Sequence, residues 1–295
     1  MHQPGSDADA RAGSAMPPRS VAILGLGLIG GSIAYSLRDA GCRLVGYDTN
    51  ADAVQLALSE QAINAAAPSP AAAADGADLI VIAAPVNAVV PLLVSALPSI
   101  SSTAVVTDAG SVKSRIVREC DELLPGRFVG GHPMAGSESA GFASARAGLF
   151  AGAPWVLTLV EHTSASAVEA VGWLLEAVGA TPWFCDPAAH DRIVAAVSHL
   201  PHLLAYGLAQ VASDRVDDPW TSLVAGSFRD GTRVAKSLPE AWSVILADNR
   251  QEVAAALDAF IEWASSVRRL LDRGGESGLC EALAAANAAR TRFPG

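Results

Sequence analysis

Hydrophobic residues between Ser20 and Cys185 form short apolar runs that alternate with Ala-rich stretches. Short runs rich in Val, Ile and Leu are typical of buried parallel strands, and the longer stretches between them are typical of helices. Strands are predicted near residues 20–25, 43–48, 79–84, 104–108, 128–131, 154–160 and 180–184, with a further short strand at 62–64. Helices are predicted to start near Ile29, Ala51, Val86, Val112 and Ala165. This alternation predicts an α/β Rossmann-type doubly wound sheet built from βαβ units.

The strand pattern stops after Asp186, and the remaining chain has a helical pattern near residues 188–212, 219–235, 239–271 and 277–291. We therefore predict a sheet domain over 19–185 and an all-α domain over 186–295, after a disordered leader at 1–18. The helical part contains more Ala, Leu and Val than a free domain of its size would expose. This excess predicts a homodimer that forms through the helical domain.

The charge of the chain excludes several classes of partner. A formal net charge of −10 gives no basic field that would attract nucleic acid or an anionic membrane. Residues 79–97 carry no charge, but Pro85, Asn87 and Pro91 interrupt them, so a strand, a loop and a helix are expected there rather than a membrane span. The first 20 residues lack the apolar core of a signal peptide, which indicates a cytoplasmic protein.

A glycine-rich turn follows the first predicted strand. Gly25, Gly27 and Gly30 come directly after the apolar run VAIL and open a helix, the context in which this spacing binds a dinucleotide. Asp48 ends the second strand, 23 residues after Gly25, where a carboxylate can bind ribose hydroxyls and repel a 2′-phosphate. The sequence therefore predicts NAD as the cofactor. A flavin or a non-redox nucleotide is the alternative.

Ligands of such sheets bind outside the carboxyl ends of the strands, so the residues that follow each strand are candidates for the site. Three segments stand out, which are residues 84–86, 108–113 and 132–138. Cofactor contacts are predicted for Gly25, Gly27, Leu28, Ile29, Gly30, Asp48, Ala84, Pro85, Val86 and Gly110.

Several separated motifs occur in order along residues 20–250. They are GLGLIGGS, DAGSVK, HPMAGSE, VSHLPH and GSFRDGTRVAKSLPEAW. Together they closely resemble the prephenate/arogenate dehydrogenase family of tyrosine biosynthesis. The resemblance implies a nicotinamide domain joined to a helical dimerisation domain. It also implies oxidative decarboxylation of prephenate by NAD, which gives 4-hydroxyphenylpyruvate, carbon dioxide and NADH.

The same resemblance implies roles for individual residues. His132 would be the catalytic base, since a neutral imidazole can accept a hydroxyl proton near pH 7, although the histidine of a loop can also merely cap backbone groups. Ser111 would hydrogen-bond this histidine, and it could also cap a helix. Substrate contacts are implied for Arg233, His202, Ser137, Glu138, Lys236 and Trp242.

Cations and histidines of the second domain leave alternatives open. Arg229 and Lys236 would share a helical side with Arg233 if the segment were helical throughout, but Gly231 makes an unbroken helix doubtful. His190 and His199 are expected to hold structural hydrogen bonds. A metal site is not predicted, because no acidic ligand stands at a matching spacing from the histidines and the four cysteines form no CxxC pair.

Three other functions compete with this hypothesis. Arogenate, which carries an amino group in place of the keto oxygen of prephenate, is the alternative substrate. A β-hydroxyacid dehydrogenase has a similar two-domain layout, but its helical lysine motif is not evident here. A regulatory module that senses NAD without turnover is the non-enzymatic alternative, against which His132, Ser111 and Arg233 argue.

Overall fold

The computed structural model describes residues 17–136 and 139–293. Most of the predicted leader, together with the predicted substrate-binding residues Ser137 and Glu138, therefore lies outside the described residues.

The first half of the chain forms one eight-stranded sheet. Its strands are β1 (Ser20–Leu24), β2 (Arg43–Tyr47), β3 (Ala65–Ala66), β4 (Leu79–Ile82), β5 (Val105–Asp108), β6 (Phe128–Pro133), β7 (Pro154–Thr158) and β8 (Thr181–Cys185). Their spatial order is 3-2-1-4-5-6-7-8, so the strand order reverses between β1 and β4. The predicted Rossmann-type fold is confirmed, and the place where the order reverses is the usual cofactor site of such sheets.

Two details of the strand prediction are wrong. Strand β7 runs antiparallel to β6, and the described residues between them form a 3₁₀ turn at Phe142–Ser144 rather than the crossover helix of a βαβ unit. The short strand expected at 62–64 lies instead at Ala65–Ala66. The side chain of Asn64 binds the edge of β2 there, because Leu44 N donates to Asn64 Oδ1 at 2.7 Å.

Six helices cover the two faces of the sheet. They are α1 (Leu28–Leu37), α2 (Ala51–Ser59), α3 (Pro70–Ala74), α4 (Val89–Ala96), α5 (Ser114–Leu123) and α6 (Ala165–Val178). Alternate residues of β1 belong to two different cores: Val21 and Ile23 pack with α1 and α6, whereas Ala22 and Leu24 pack with α3, α4 and α5. The central strands are thus buried on both faces, as the continuous apolar runs predict, whereas the edge strand β8 is largely exposed.

Two predicted helix starts are displaced. A 3₁₀ turn at Val86–Ala88 precedes α4. Helix α5 begins at Ser114 rather than at Val112, because Asp191 of the helical half accepts hydrogen bonds from the N–H groups of Lys113 and Ser114 at 2.7 and 2.8 Å. A cap from 77 residues away along the chain is invisible to local sequence patterns.

The second half is helical. Its elements are α7 (Pro187–Val194), a π-helical turn (Ala195–His199), α8 (Leu200–Ser213), α9 (Gly226–Thr232), α10 (Pro239–Asp248), α11 (Arg250–Arg273) and α12 (Glu276–Arg290). The first three elements follow one another without a break and form one continuous helical segment over residues 187–213, as predicted for 188–212. No helix within the described residues is long and apolar enough to cross a bilayer.

The predicted helices at 219–235 and 239–271 are wrong as single elements. In the first, α9 is flanked by 3₁₀ turns at Trp220–Leu223 and Arg233–Lys236, and the extended backbone of Ala225 precedes it. Two glycines within α9 weaken the helical preference further. In the second, Asn249 leaves the helical backbone conformation between α10 and α11.

Candidate active site

The glycine turn after β1 has the shape that its sequence predicts. Gly25 adopts a φ of +102°, and a Cβ atom there would lie 2.3 Å from Ala83 O. A Cβ atom on Gly30 would lie 1.9 Å from Gly25 O, whereas one on Gly27 would meet no protein atom within 4 Å. The first and third glycines are therefore required by the turn itself, and the second faces open space of the kind that a bound dinucleotide would need.

Asp48 lies beside this turn, just after β2. Its Oδ2 accepts a hydrogen bond from Leu26 N at 2.6 Å, and its Oδ1 accepts one from Asn50 N at 2.7 Å. These two bonds hold the carboxylate at the carboxyl end of the sheet, next to the glycine turn. Its contact with a ribose stays a prediction.

Two cavities meet at the carboxyl ends of β5 and β6. The cofactor-side cavity, of about 360 Å³, is lined by six of the predicted cofactor residues, which are Leu28, Ile29, Ala84, Pro85, Val86 and Gly110. The substrate-side cavity, of about 380 Å³, is lined by predicted substrate residues of the helical half, which are His202, Arg233 and Trp242. Ser111 and His132 line both cavities. The two predicted catalytic residues therefore stand where a cofactor and a substrate would face each other.

His132 lies near the end of β6. Its Nδ1 is 2.8 Å from Nε2 of His190 on α7. Burial lowers the pKa of His132 well below its ordinary value, and the neighbouring His190 and Lys113 act in the same direction. The imidazole is therefore neutral at pH 7, as a general base must be.

His190 connects this base to a buried acid. Its Nδ1 lies 2.8 Å from Oδ1 of Asp191, and both residues are almost completely buried. Burial acts to raise the pKa of Asp191, but hydrogen bonds from His190, Ser114 and Lys113 outweigh it, so that this pKa lies below its ordinary value. From the sequence, only a structural hydrogen bond is expected for His190, and Asp191 is not among the candidate site residues. The sequence does place an acid, Asp191, directly after a histidine near the start of a predicted helix, and this pairing could have pointed to it.

A buried ion pair joins the segments that carry Ser111 and His132. Lys113 Nζ pairs with Asp108 and also donates to Gly131 O at 2.8 Å. Asp108 accepts in turn from Gly110 N at 2.8 Å and from Gly131 N at 3.0 Å. Burial lowers the pKa of Lys113, and the charge of Asp108 opposes this shift. The pair thus fixes the loop after β5 against the end of β6.

Close packing around β6 leaves no room for side chains next to His132. A Cβ atom on Gly130 would lie 2.3 Å from Thr158 Oγ1, and one on Gly131 would lie 2.5 Å from Asp108 O. Both positions of β6 that precede the base therefore require glycine.

The helical half contributes a second group of pocket residues. The ring of His202 stacks on that of Trp242, with centroids 3.5 Å apart, and His202 Nδ1 lies 2.9 Å from Ser198 O. Burial lowers the pKa of His202, and the nearby charge of Arg233 adds to this. The neutral ring therefore donates from Nδ1 and keeps a lone pair on Nε2.

His199 also lines the substrate-side cavity. Burial lowers its pKa to about 4, and Asn249 Nδ2 lies 3.1 Å from its Nδ1. Asn249 Nδ2 donates as well to Asp191 O at 2.8 Å. The structural hydrogen bond that we expected for His199 is present, but the residue lies in the cavity too.

Arg233 starts the 3₁₀ turn after α9 and faces the substrate-side cavity. The patch of three cations does not form on one helical side, because α9 ends before Arg233. Arg229 instead donates to Val224 O at 3.0 Å. Neither Arg229 nor Lys236 is among the described residues that line the cavity. Within residues 17–136 and 139–293, no group of three His, Cys, Asp or Glu side chains is arranged to hold a metal ion.

A dinucleotide-type sheet, a neutral buried histidine between two cavities and an arginine from a helical half define an NAD-dependent dehydrogenase. Comparison with known proteins identifies its family. The family descriptions "Prephenate dehydrogenase, nucleotide-binding domain" and "Prephenate dehydrogenase, dimerization domain" match residues 33–182 and 186–285. The chain therefore belongs to the prephenate dehydrogenase family, is an NAD-dependent oxidoreductase and carries a dimerisation domain.

Individual relatives agree with this assignment. The prephenate dehydrogenase of Bacillus subtilis is 35% identical over 85% of this chain and 69% of its own length. The structure of prephenate dehydrogenase from A. aeolicus with hydroxyphenyl propionate and NAD+ has a TM-score of 0.87 and 30% identity, covering 94% of this chain and 98% of that one. The structure of Synechocystis arogenate dehydrogenase has a TM-score of 0.80 and 30% identity, covering 93% and 100%.

Proposed function

We propose that this chain catalyses the oxidative decarboxylation of prephenate with NAD, forming 4-hydroxyphenylpyruvate, carbon dioxide and NADH. One observation carries the proposal: the cofactor-side and substrate-side cavities meet at Ser111 and His132. A hydroxyl carbon held between them has a base on one side and room for a nicotinamide on the other. Relatives named as prephenate or arogenate dehydrogenases, one of them solved with NAD+, support the same chemistry.

The cofactor half of the site suits NAD. Open space at Gly27 and the fixed carboxylate of Asp48 would hold the pyrophosphate and the adenosine ribose, and the negative charge of Asp48 disfavours a 2′-phosphate. Gly25 and Gly30 shape the turn. Bound NAD supplies the hydride acceptor of the reaction.

His132 and Ser111 act on the ring hydroxyl. The neutral imidazole of His132 accepts the hydroxyl proton as the carbinol carbon is oxidised. The expected hydrogen bond between Ser111 and His132 is absent from the described contacts, so Ser111, which lines both cavities, would instead hydrogen-bond the substrate hydroxyl. Loss of carbon dioxide from the ring then produces the aromatic product. His199 and His202 are neutral at pH 7 because burial lowers the pKa of each ring, so Arg233 provides the positive charge among the described residues of the lining.

Arg233 would bind a substrate carboxylate, since a guanidinium pairs with a carboxylate through two parallel hydrogen bonds. Trp242 and the ring of His202 stacked on it would form the wall beside the substrate. Contacts from Ser137, Glu138 and Lys236 stay predictions. Ser137 and Glu138 lie outside the described residues, and Lys236 is absent from the described lining.

Prephenate is favoured over arogenate by the charge of the substrate-side cavity. Its described lining contains Arg233 and no Asp or Glu, so it offers no carboxylate to the ammonium group of arogenate. The keto acid side chain of prephenate requires none. Arogenate is the second candidate substrate, because an arogenate dehydrogenase is among the similar structures.

Formation of NADH with each substrate in turn tests the proposal. We expect kcat/KM for prephenate to exceed that for arogenate by at least about tenfold, which corresponds to about 1.4 kcal/mol. Preference for arogenate would reverse the substrate assignment, and Glu138→Gln would then show whether that residue binds the ammonium group. NADP should be the poorer cofactor.

His132→Asn tests the role of the base. We expect kcat to fall by about 10²–10⁴, the range that general base catalysis contributes, with the Kd for NAD unchanged. Arg233→Met is the matched comparison from the helical half: its main effect should be on KM for prephenate. Near-normal kcat in His132→Asn would exclude this residue as the base.

Two further assignments remain proposals. We place the domain boundary between Cys185, where the last strand ends, and Pro187, where α7 begins. We also propose a cytoplasmic location, which fractionation of cells that produce the protein would test.

A further inference from the structure

We propose that His190 and Asp191 form a proton relay with His132, in which they orient the base and take up its positive charge. The inference rests on the proposed role of His132 as the base. It is carried by a continuous chain of hydrogen bonds that links three side chains from both halves of the molecule.

The hydrogen bonds fix which ring nitrogens carry protons. The carboxylate of Asp191 only accepts, so His190 Nδ1, at 2.8 Å from it, must be the donor. A neutral His190 then has its lone pair on Nε2. His132 Nδ1, 2.8 Å from that atom, must in turn donate. The remaining nitrogen of His132, Nε2, is left unprotonated and is the atom that can accept the hydroxyl proton of the substrate.

The same chain offers a path for charge. When the O–H bond of the substrate breaks, a new N–H bond forms at Nε2 of His132. The proton on Nδ1 of His132 can then pass to Nε2 of His190, and the positive charge comes to rest next to Asp191. No oxidant or further reactant is needed, because only proton positions change.

No other charged group described near His132 and His190 can stabilise a positive charge on them as Asp191 does. On the sheet side, Lys113 faces His132, but it is paired with Asp108. On the helical side, His199 is neutral at pH 7 because burial lowers its pKa. Asp191 is the group whose charge raises the pKa of His132, against the lowering that burial, His190, Lys113 and His199 produce.

A purely structural role is the competing explanation for Asp191. It caps α5 through the N–H groups of Lys113 and Ser114, and its backbone carbonyl accepts a bond from Asn249. A cap of this kind stabilises the packing of α7 on α5 without affecting the titration of His132. A pH profile therefore distinguishes the two roles.

Asp191→Asn is the first test, because it removes the charge while the amide oxygen can still accept from Lys113 N and His190 Nδ1; the acceptor of Ser114 N is lost. We expect kcat for prephenate to fall by about ten- to a hundredfold, and the acidic limb of the profile of kcat/KM against pH to move to lower pH. Asp186→Asn is the matched control, since Asp186 caps α7 through Ala189 N at 2.8 Å and lies on the surface. Its acidic limb should coincide with that of the wild type.

His190→Gln separates orientation from charge uptake. The glutamine amide can still hydrogen-bond His132 but cannot carry a proton, whereas His190→Asn is too short to reach it. We expect kcat to fall in both variants, more in His190→Asn, with the Kd for NAD unchanged. Equal kcat in wild type and His190→Asn, or an unmoved acidic limb in Asp191→Asn, would overturn the relay.

Nitrogen NMR of the histidine rings in the ¹⁵N-labelled holoenzyme gives a readout without turnover. The relay requires that His132 and His190 both carry the proton on Nδ1, with resonances assigned through the single variants. A proton on Nε2 of His132 at pH 7 would overturn it. If the wild type failed to oxidise prephenate but showed both Nδ1 protons, the proposed function would be wrong and the hydrogen-bond chain would stand.

Discussion

The two halves of the molecule bury their apolar residues in different ways. In the sheet half, the central strands β1 and β4 are buried along almost their whole length between two hydrophobic cores. Among described residues from Leu200 onward, by contrast, only Ala205 and Val253 are buried apolar residues. The sheet half therefore carries a core of its own, whereas the helical half matches a dimerisation domain, and its exposed apolar side chains are those that a second copy would cover.

The chemistry divides along the same line. The candidate base and its serine come from the sheet half, where the Lys113 and Asp108 pair fixes them. Arg233, His202 and Trp242, which would recognise the substrate, come from the helical half. Three substitutions test this division, in order of decreasing expected effect.

Lys113→Met should have the largest effect, because it leaves the buried carboxylate of Asp108 unpaired. We expect the free energy of unfolding to fall by about 3–5 kcal/mol in urea titrations at fixed protein concentration. Adding Asp108→Asn should restore part of the loss, since the unpaired charge disappears. A loss below about 1 kcal/mol in Lys113→Met would mean that the pair does not stabilise the sheet half.

Ile261→Asp in α11 should act on the dimer instead. Ile261 and Val94 of α4 are both 50% exposed, so Val94→Asp is a matched control in the sheet half. We expect Ile261→Asp to raise the Kd of the dimer by about a hundredfold, equivalent to about 2.7 kcal/mol, and Val94→Asp to leave it unchanged. Sedimentation across a range of concentrations measures both. Equal Kd values would place Ile261 outside the dimer contact.

Arg115→Ala should have the smallest effect, at the contact between the halves. Arg115 of α5 pairs with Asp248 of α10 at 2.6 Å and donates to Val86 O at 3.3 Å. Because the pair is partly exposed, we expect a loss of at most about 1 kcal/mol in stability. Since Val86 lines the cofactor-side cavity, KM for NAD should rise a few-fold. Arg118→Ala, which removes a more exposed pair on the same helix, should change neither.

Local features were predictable from sequence, and contacts between distant segments were not. The glycine turn, Asp48 and the loops after β4, β5 and β6 were predictable, because each directly follows an apolar run that marks a strand. The antiparallel direction of β7 could not be predicted, because the pattern of apolar residues in a strand does not indicate whether it runs parallel or antiparallel to its neighbour. Lys113 could have been suspected as one of only two lysines in the chain, placed five residues after Asp108.

The hydrogen-bond chain of His132, His190 and Asp191 is a second example of a contact that sequence patterns do not predict. His190 lies 58 residues from His132, and only the packing of α7 on α5 and β6 brings the two rings together. The break of the helix before Arg233 was signalled by Gly231, but its consequence for Arg229 and Lys236 depends on backbone geometry.

The two glycines before His132 restrict how this protein can evolve. A side chain at Gly130 would collide with that of Thr158, and one at Gly131 with the backbone of Asp108, so these two positions of β6 strongly favour glycine. The 3₁₀ turn at Arg233–Lys236 and helix α10 contain neither a glycine nor a buried residue. Libraries aimed at new specificity should therefore vary residues 233–245, which include Arg233 and Trp242 of the substrate-side lining, while leaving Gly130 and Gly131 intact.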